Sequence, residues 1–515
     1  MHPAPTTRPY TLAPAKPTTS GKPNPRRIGT LDFSSLLMQQ QRNGAGGPVI
    51  PPAPGVQVLQ MGSARVMRQP APPAQPANVP QTSRMPKPSS GTLAHRGVGG
   101  LPVSSGATNV GPIPPAQALA QYDGLLTPYE YKEIFSYPLV YFVGPTAAKT
   151  YAPQAEKINH GYDDERGDYN VVMRDQVAYR YEVLAPLGRG SFGQVVKCHD
   201  HKTGTKIALK IIRNKKKFHQ QAMIEVKILA HLKEHDAEDK YGCIQMIETF
   251  NFRSHMCITF ELLHCNLYEY VKETNFQPFS EGLLKKISAQ LLVALAYMAR
   301  HEIVHCDIKP ENILLRAPGR SAIKLIDFGS SCLEKERLYT YIQSRFYRAP
   351  EIILGVPYNR AIDVWSLGCV LCELAIGFPI FPGETEIEQL ACIMEVLGVP
   401  PRAVIETSTR KKHFFDLQLN PHLVPNSKKR VRRPNTRPLN AVLSTRDDLF
   451  VDFILQFLRW DPAERLTPEG AMRHPWIASC FPTAGTHLPH LETQQSIRVP
   501  PGARRISSSG ENEGK

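Results

Sequence analysis

The chain has 515 residues, 47 of them Pro and 35 Gly, with ten scattered cysteines and a formal net charge of +15. The cysteines form no spacing framework, and no apolar run approaches the ~20 residues of a membrane span, so composition argues against a disulfide-stapled secreted scaffold and against a membrane protein. The positive charge is dispersed and carries no zinc-finger or RNA-binding aromatic spacing, which argues against sequence-specific nucleic-acid recognition.

Residues 1–115 read as a Pro-rich disordered arm. Runs such as GPVIPPAPG and QPAPPAQPANVPQ show no apolar periodicity, and such a segment cannot bury enough surface to offset its ordering entropy. The first residues, MHPAPTTRPY, contain no apolar core of a signal peptide, so a cytoplasmic or nuclear location is expected. The stretch LTPYEYKEIFSYPLVYFVG, residues 126–144, differs from the arm in its aromatic density and is expected to fold. With YDDERGDYNVVMRDQVAYRYEVL it makes an accessory region over 120–180.

YEVLAPLGRGSFGQVVKCHD, residues 181–200, reads as strand, Gly-rich turn, strand. Gly188, Arg189, Gly190, Ser191, Phe192, Gly193, Gln194 and Val195 form a G-x-G-x-x-G-x-V pattern. Glycines let such a hairpin bring its backbone N–H groups close to phosphates. A dinucleotide fingerprint shares the glycines, but a helix follows it, whereas here a strand follows. Lys210 lies inside the β-rich run IALKIIR. It is either an edge lysine facing solvent or a phosphate-gripping lysine, and the second reading requires a carboxylate on the next helix. FHQQAMIEVKILAHL has a helical apolar face and supplies Glu225. At the end of the strand CITF, Phe260 would guard the back of a nucleotide pocket, and Glu261, Leu262 and Leu263 follow with backbone groups that could bond a purine.

HCDIKPENILL, residues 305–315, offers Asp307 as a base, Lys309 as a cation and Asn312 as an oxygen ligand. AIKLIDFGSSC adds Asp327, a second oxygen ligand. A divalent ion such as Mg²⁺ needs few protein ligands because it keeps waters and takes phosphate oxygens. Tyr339-Thr340-Tyr341 and Ala349-Pro350-Glu351 follow. Cys369 and Cys372 form a lone CxxC in an apolar run, expected to be buried helix cysteines and not a metal pair. The cluster from Lys428 to Arg433 is either a nuclear localisation signal or a solvated loop. Residues 478–515 read as a disordered tail, in which RRISSS is either a site for a basophilic kinase or idle.

This ordered series resembles the eukaryotic protein kinases over residues 181–477. It implies an α+β bilobal fold, with a β-rich N-lobe, a helical C-lobe and ATP with Mg²⁺ (Mn²⁺ as a substitute) as cofactors. The resemblance casts Lys210, Glu225, Asp307 and Lys309 as the catalytic set. Asn312 and Asp327 would hold metal, and the Gly-rich loop with Ala208 and residues 260–263 would hold the nucleotide. Asp363 would anchor the catalytic-loop backbone, and Arg465 would pair with Glu351. One residue departs from the H-R-D-L-x-x-x-N pattern: Cys306 replaces the arginine that holds a phosphorylated activation loop in many kinases. Cys306, DFGSSC and YTYIQSRFYRAPE together resemble the dual-specificity tyrosine-phosphorylation-regulated kinases, and residues 126–144 resemble the accessory region of class II members. FPGETEIEQLACIMEVLGVPP is similar to the wider CMGC group. The resemblance implies transfer of phosphate to Ser/Thr of protein substrates, with Ser/Thr-Pro sites, and autophosphorylation of Tyr341. Arg345 and Arg348, four and seven residues on, are then the expected phosphate partners. Alternatively, Cys306 packs near Cys332 and senses oxidation. The competing function is a catalytically weak kinase-fold scaffold that recruits partners through its arm.

Overall fold

The computed structural model describes residues 111–150, 158–337 and 339–481. The expected arm lies outside these residues except at its end, and so does the expected tail beyond Phe481. Ile113, inside the segment read as arm, already exchanges backbone bonds of 3.0 and 2.9 Å with Val140.

The smaller lobe is a six-stranded antiparallel sheet in the order β1-β2-β3-β4-β6-β5. Its strands are β1 (Gln176–Val177), β2 (Tyr181–Arg189), β3 (Gly193–Asp200), β4 (Thr205–Ile212), β5 (Met246–Phe252) and β6 (His255–Glu261). Side chains alternate across a strand, so Leu209 and Ile211 of β4 join Val183, Val196 and Cys257 in one buried layer. Lys210 points to the other face. Gly193 is required where β3 leaves the turn: a Cβ there would meet the Ile211 carbonyl oxygen at 2.1 Å.

Helix α1 (Pro115–Gln121) opens the accessory region, and α2 (Lys216–His235) follows β4. Ala222, Glu225, Ile228, Leu229 and Leu232 recur at helical spacing along the buried face of α2. The described residues of the accessory region pack onto the sheet. Ile113, Ala118, Leu126, Ile134, Val140, Val143 and Tyr179 form its own small core. The join is charged: Arg253, 7% exposed in the β5–β6 turn, bonds Glu133 at 2.8 Å, Glu130 at 3.3 Å and the Tyr169 hydroxyl at 3.0 Å. Its guanidinium also lies 3.9 Å from the centre of the Tyr162 ring.

The larger lobe is helical, built around α3 (Leu267–Glu273), α4 (Glu281–Arg300), α5 (Ala361–Ile376), α6 (Glu386–Leu397) and α7 (Asp448–Phe457). Helix α4 has the length and mean hydropathy of a membrane span, but its apolar residues pack into the lobe's core. Helix α5 is buried nearly all round. Its Cys369 and Cys372 thiols are pushed up in pKa by that burial, which suits an inert core pair. Short strands β7 (Ile303–Val304), β8 (Ile313–Leu315), β9 (Ile323–Leu325) and β10 (Cys332–Leu333) carry the loops between the lobes. The two-lobed α+β architecture expected from the motifs is therefore present. Arg465 meets Glu351 through two bonds, 2.6 and 2.7 Å, with both side chains buried.

The Lys428–Arg433 cluster is not uniformly solvated. Arg430 pairs with Glu395 at 2.5 Å, and Arg432 with Glu395 at 2.6 Å and Glu388 at 3.2 Å. Lys428, Lys429 and Arg433 are exposed.

Candidate active site

Lys210 Nζ lies 2.7 and 2.9 Å from the two carboxylate oxygens of Glu225 and 2.9 Å from Asp327 Oδ1. The sheet sends the lysine inward, α2 brings the carboxylate, and the loop after β9 brings the aspartate. Burial alone would lower the lysine pKa, but Asp327 and Glu225 outweigh it and hold the ammonium charged. Burial would likewise raise Asp327, and Lys210 overcomes it, drawing the carboxyl down to about 2. Asp327 takes a left-handed backbone, φ +61°.

Asp307 and Lys309 sit across the cleft. Lys309 Nζ contacts Asp307 Oδ2 at 2.5 Å. Asn312 donates its amide to the Asp307 carbonyl at 2.8 Å, which leaves its amide oxygen as the acceptor. The catalytic loop is suspended from Asp363, which accepts the backbone N–H groups of His305 at 2.7 Å and Cys306 at 3.0 Å. Sequence reasoning missed Ser344. Its hydroxyl donates to Asp307 Oδ1 at 2.7 Å and lies 3.2 Å from Lys309 Nζ. No motif flagged it, because it is one serine in a loop.

The residues expected to hold a nucleotide lie on the β2–β3 hairpin, on β4 and at the end of β6. Val195 pairs with Lys210 across β3 and β4, and Ala208 pairs with Phe260 across β4 and β6. Ala208 and Lys210 share a face by the two-residue period. A Cβ at Gly188 or Gly190 would meet nothing within 4 Å, so the backbone there is bare on the side open to a phosphate. Phe192 packs its ring edge-on to Phe218. Phe260 is buried, while Glu261, Leu262 and Leu263 are half-buried at the lobe junction. The Glu261 carboxylate is held by Lys324 and by the Gln245 N–H.

Two loop side chains point away from the cleft. Arg189 bonds Asp164 at 2.7 Å and Asp168 at 2.5 Å. Asp168 also takes Arg213 at 2.8 and 3.0 Å. The Gln194 amide donates to the Tyr169 carbonyl at 2.5 Å. These two residues therefore offer backbone, not side chain, to a nucleotide. Asp164 and Asp168 belong to the accessory region and were not foreseen.

Tyr341 meets one of its two expected partners. Arg348 donates to the Tyr341 hydroxyl at 2.5 Å, and its guanidinium lies 4.1 Å from the ring centre. Arg345 instead donates to the Glu384 carbonyl at 2.6 Å. Arg410, paired with Glu386 at 2.7 Å, stands 5.9 Å from the Tyr341 ring and was missed. Cys306, also left-handed at φ +67°, is buried with its Sγ 3.9 Å from Cys332 Sγ. Burial raises the Cys306 thiol.

Residues 181–477 match the protein kinase domain family. The chain is similar to "Dual specificity tyrosine-phosphorylation-regulated kinase 4" of Homo sapiens, 50% identical over 362 residues, which cover 70% of each protein. It is similar to "Dual specificity tyrosine-phosphorylation-regulated kinase 3" of Rattus norvegicus, 49% identical over 397 residues, 74% of this chain and 68% of that one. It is also similar to "Dual specificity tyrosine-phosphorylation-regulated kinase 2" of Drosophila melanogaster, 48% identical over 369 residues, 71% of this chain and 51% of that one. The chain thus spans about half the length of the fly relative.

Proposed function

This chain belongs to the dual-specificity tyrosine-phosphorylation-regulated kinases, a family of protein kinases that use ATP and a divalent metal, and from that premise we propose which of its residues move the phosphate and what they select. Lys210 grips the nucleotide phosphates and is aimed by Glu225. Asp307 accepts the hydrogen of a substrate Ser or Thr hydroxyl. Lys309 stands beside it to balance charge on the transferred group. Asp327 and the amide oxygen of Asn312 supply hard oxygen donors of the kind Mg²⁺ takes, and the bare backbone at Gly188 and Gly190 suits phosphate contact. When bound, the ion would neutralise charge building on the phosphates. The scaffold reading is not favoured, because no member of the catalytic set is missing.

The observation that carries this reading is the single ammonium of Lys210 joined at once to Glu225 and Asp327. It links sheet, helix and metal-side loop in one charge-assisted cluster. The test is peptide phosphorylation with ATP and Mg²⁺. Lys210→Arg keeps the charge but not the compact ammonium, and Asp327→Asn removes a metal-side charge. Each is expected to lower kcat/KM by on the order of a hundredfold or more, as loss of a transition-state electrostatic contact does. Near-wild-type turnover in either folded variant would remove these roles.

We further propose that substrates carry proline directly after the target residue and that Tyr341 is modified by the chain's own active site. Support for the first is the backbone at Gln343; support for the second is the arginine setting around Tyr341.

A further inference from the structure

Outside the catalytic cluster, three imidazoles meet where the C-terminal end of α2 lies against the C-terminal end of α4. His231 and His235 stand one turn apart on α2, so they share a face. His301 follows the last residue of α4. The ring centres are 4.4 Å apart for His231 and His235, 4.8 Å for His231 and His301, and 4.9 Å for His235 and His301. One ring nitrogen from each lies within 4.8 Å of the other two. We propose that His231, His235 and His301 bind a borderline divalent transition-metal ion, Zn²⁺ above all, and that the ion straps α2 to α4.

The chemistry of the donors selects the ion. Three neutral imidazoles and no carboxylate suit zinc, copper or nickel and disfavour Mg²⁺ and Ca²⁺, so this site is distinct from the oxygen-donor site at Asp327. The tautomer of one ligand is already set. His235 Nδ1 lies 2.8 Å from the His231 carbonyl. A carbonyl only accepts, so Nδ1 carries the hydrogen and Nε2 presents its lone pair. Metal-bound histidines typically donate their second nitrogen to such a partner. Zinc–nitrogen bonds of ~2.0–2.1 Å place tetrahedral ligands about 3.4 Å apart. His231 Nε2 and His301 Nδ1 stand 2.9 Å apart in a hydrogen bond, so ligation replaces that bond by two metal–nitrogen bonds with shifts of about an ångström. His231 and His235 are exposed and His301 is half-buried, so the side chains have room to move. Three protein ligands leave the fourth position to water.

The strap would act on the helix that aims Glu225. The end of α2 is already tied to α4 by the Tyr297 hydroxyl, which donates to the Leu232 carbonyl at 2.7 Å. A metal bridge at His231 and His235 fixes the same end more firmly, and so resists a swing of α2 that would part Glu225 from Lys210. The bland account is a surface hydrogen bond between two histidines and the packing of His301 on Tyr297. It predicts no response to metal.

The experiment uses the untagged full chain, stripped with chelator and with its thiols kept reduced. Zn²⁺ is titrated while bound metal and melting temperature are followed, and Co²⁺ is titrated in parallel for its visible spectrum. The expected result is one equivalent bound at micromolar Zn²⁺, a rise in melting temperature, and a cobalt spectrum without thiolate charge-transfer absorption. His235→Ala and His301→Ala should each weaken binding at least ~10-fold and abolish the thermal shift, while melting normally without metal. The proposal is overturned if both variants bind and shift as the parent does, if cobalt shows thiolate ligation, or if the parent binds no metal at ~100 μM.

Discussion

Gln343 takes a left-handed backbone, φ +66°, one residue before Ser344, whose hydroxyl meets Asp307, and we propose that this loop meets the residue after a substrate's target hydroxyl. Its side chain fixes it there: the amide donates to the Ile362 carbonyl at 2.9 Å and Ser366 Oγ at 2.8 Å, and its oxygen takes the Ala349 N–H at 2.9 Å. Its own carbonyl is taken by Arg348 at 2.8 Å. A residue placed after the target would bring an N–H with no acceptor, at a cost of ~1–3 kcal/mol. Proline brings none. A positional-scanning peptide library is therefore expected to favour proline after the target by on the order of 5- to 150-fold in kcat/KM, and a flat profile at that position would end the idea. Arg348 serves a second purpose through its contact with Tyr341. A phosphate on that hydroxyl would carry a charge near −2 beside Arg348 and Arg410. Cys306 supplies no charge, so we propose that Arg348 and Arg410 take the place of the missing arginine. Expression in bacteria followed by mass spectrometry should find phosphotyrosine at position 341 in the parent and none in Asp307→Asn. Equal modification in both would assign the event to another enzyme.

The Gly-rich hairpin shows what one element owes to another. The pattern of glycines predicted a bare backbone, and Gly188 and Gly190 provide it, while Gly193 is needed for its close approach to the Ile211 carbonyl. The same pattern placed Arg189 and Gln194 in the nucleotide-binding loop, and their side chains are turned back onto residues 164–169. That clamp is illegible in sequence because a carboxylate 21 residues upstream has no periodic relation to its partner. Asp168 joins Arg189 of the hairpin to Arg213 at the end of β4, so it limits how far the hairpin lifts. Asp168→Asn keeps the shape but loses the charge holding both arginines. The expected outcome is a several-fold higher KM for ATP, with kcat for peptide changed less, since charge-assisted bonds of ~1.5–3 kcal/mol are weakened in the free enzyme and not at the reacting atoms. Unchanged ATP dependence would show that the clamp is ornamental.

Across the molecule, what was legible is what chemistry constrains at short range. Lys210 required a carboxylate on the next helix, and Glu225 was the residue so placed. The order of the motifs predicted both lobes. What remained hidden depends on contacts between distant segments: Ser344 on Asp307, Arg410 beside Tyr341, three histidines from two helices. The largest such contact is the seat of the accessory region. Arg253 is buried against Glu130 and Glu133, more than a hundred residues earlier. Removing one partner leaves a buried charge uncompensated, at a cost of ~3–5 kcal/mol. Arg253→Ala should therefore lower the urea midpoint of the full chain substantially, and a midpoint within error of the parent would mean the seat carries no stability.

That seat also sets a timetable. Glu133 leaves the ribosome 120 residues before Arg253. At ~5–20 residues per second the interval is roughly 6–24 s. Through it, the small core that Leu126, Ile134 and Val140 share with Ile113, Ala118 and Val143 has no sheet turn to seat on, and Glu133 lacks its guanidinium partner. The accessory region is made first and is completed only after the far turn of the sheet has been made. Nascent chains arrested before and after that turn should differ in how readily protease cuts residues 111–150.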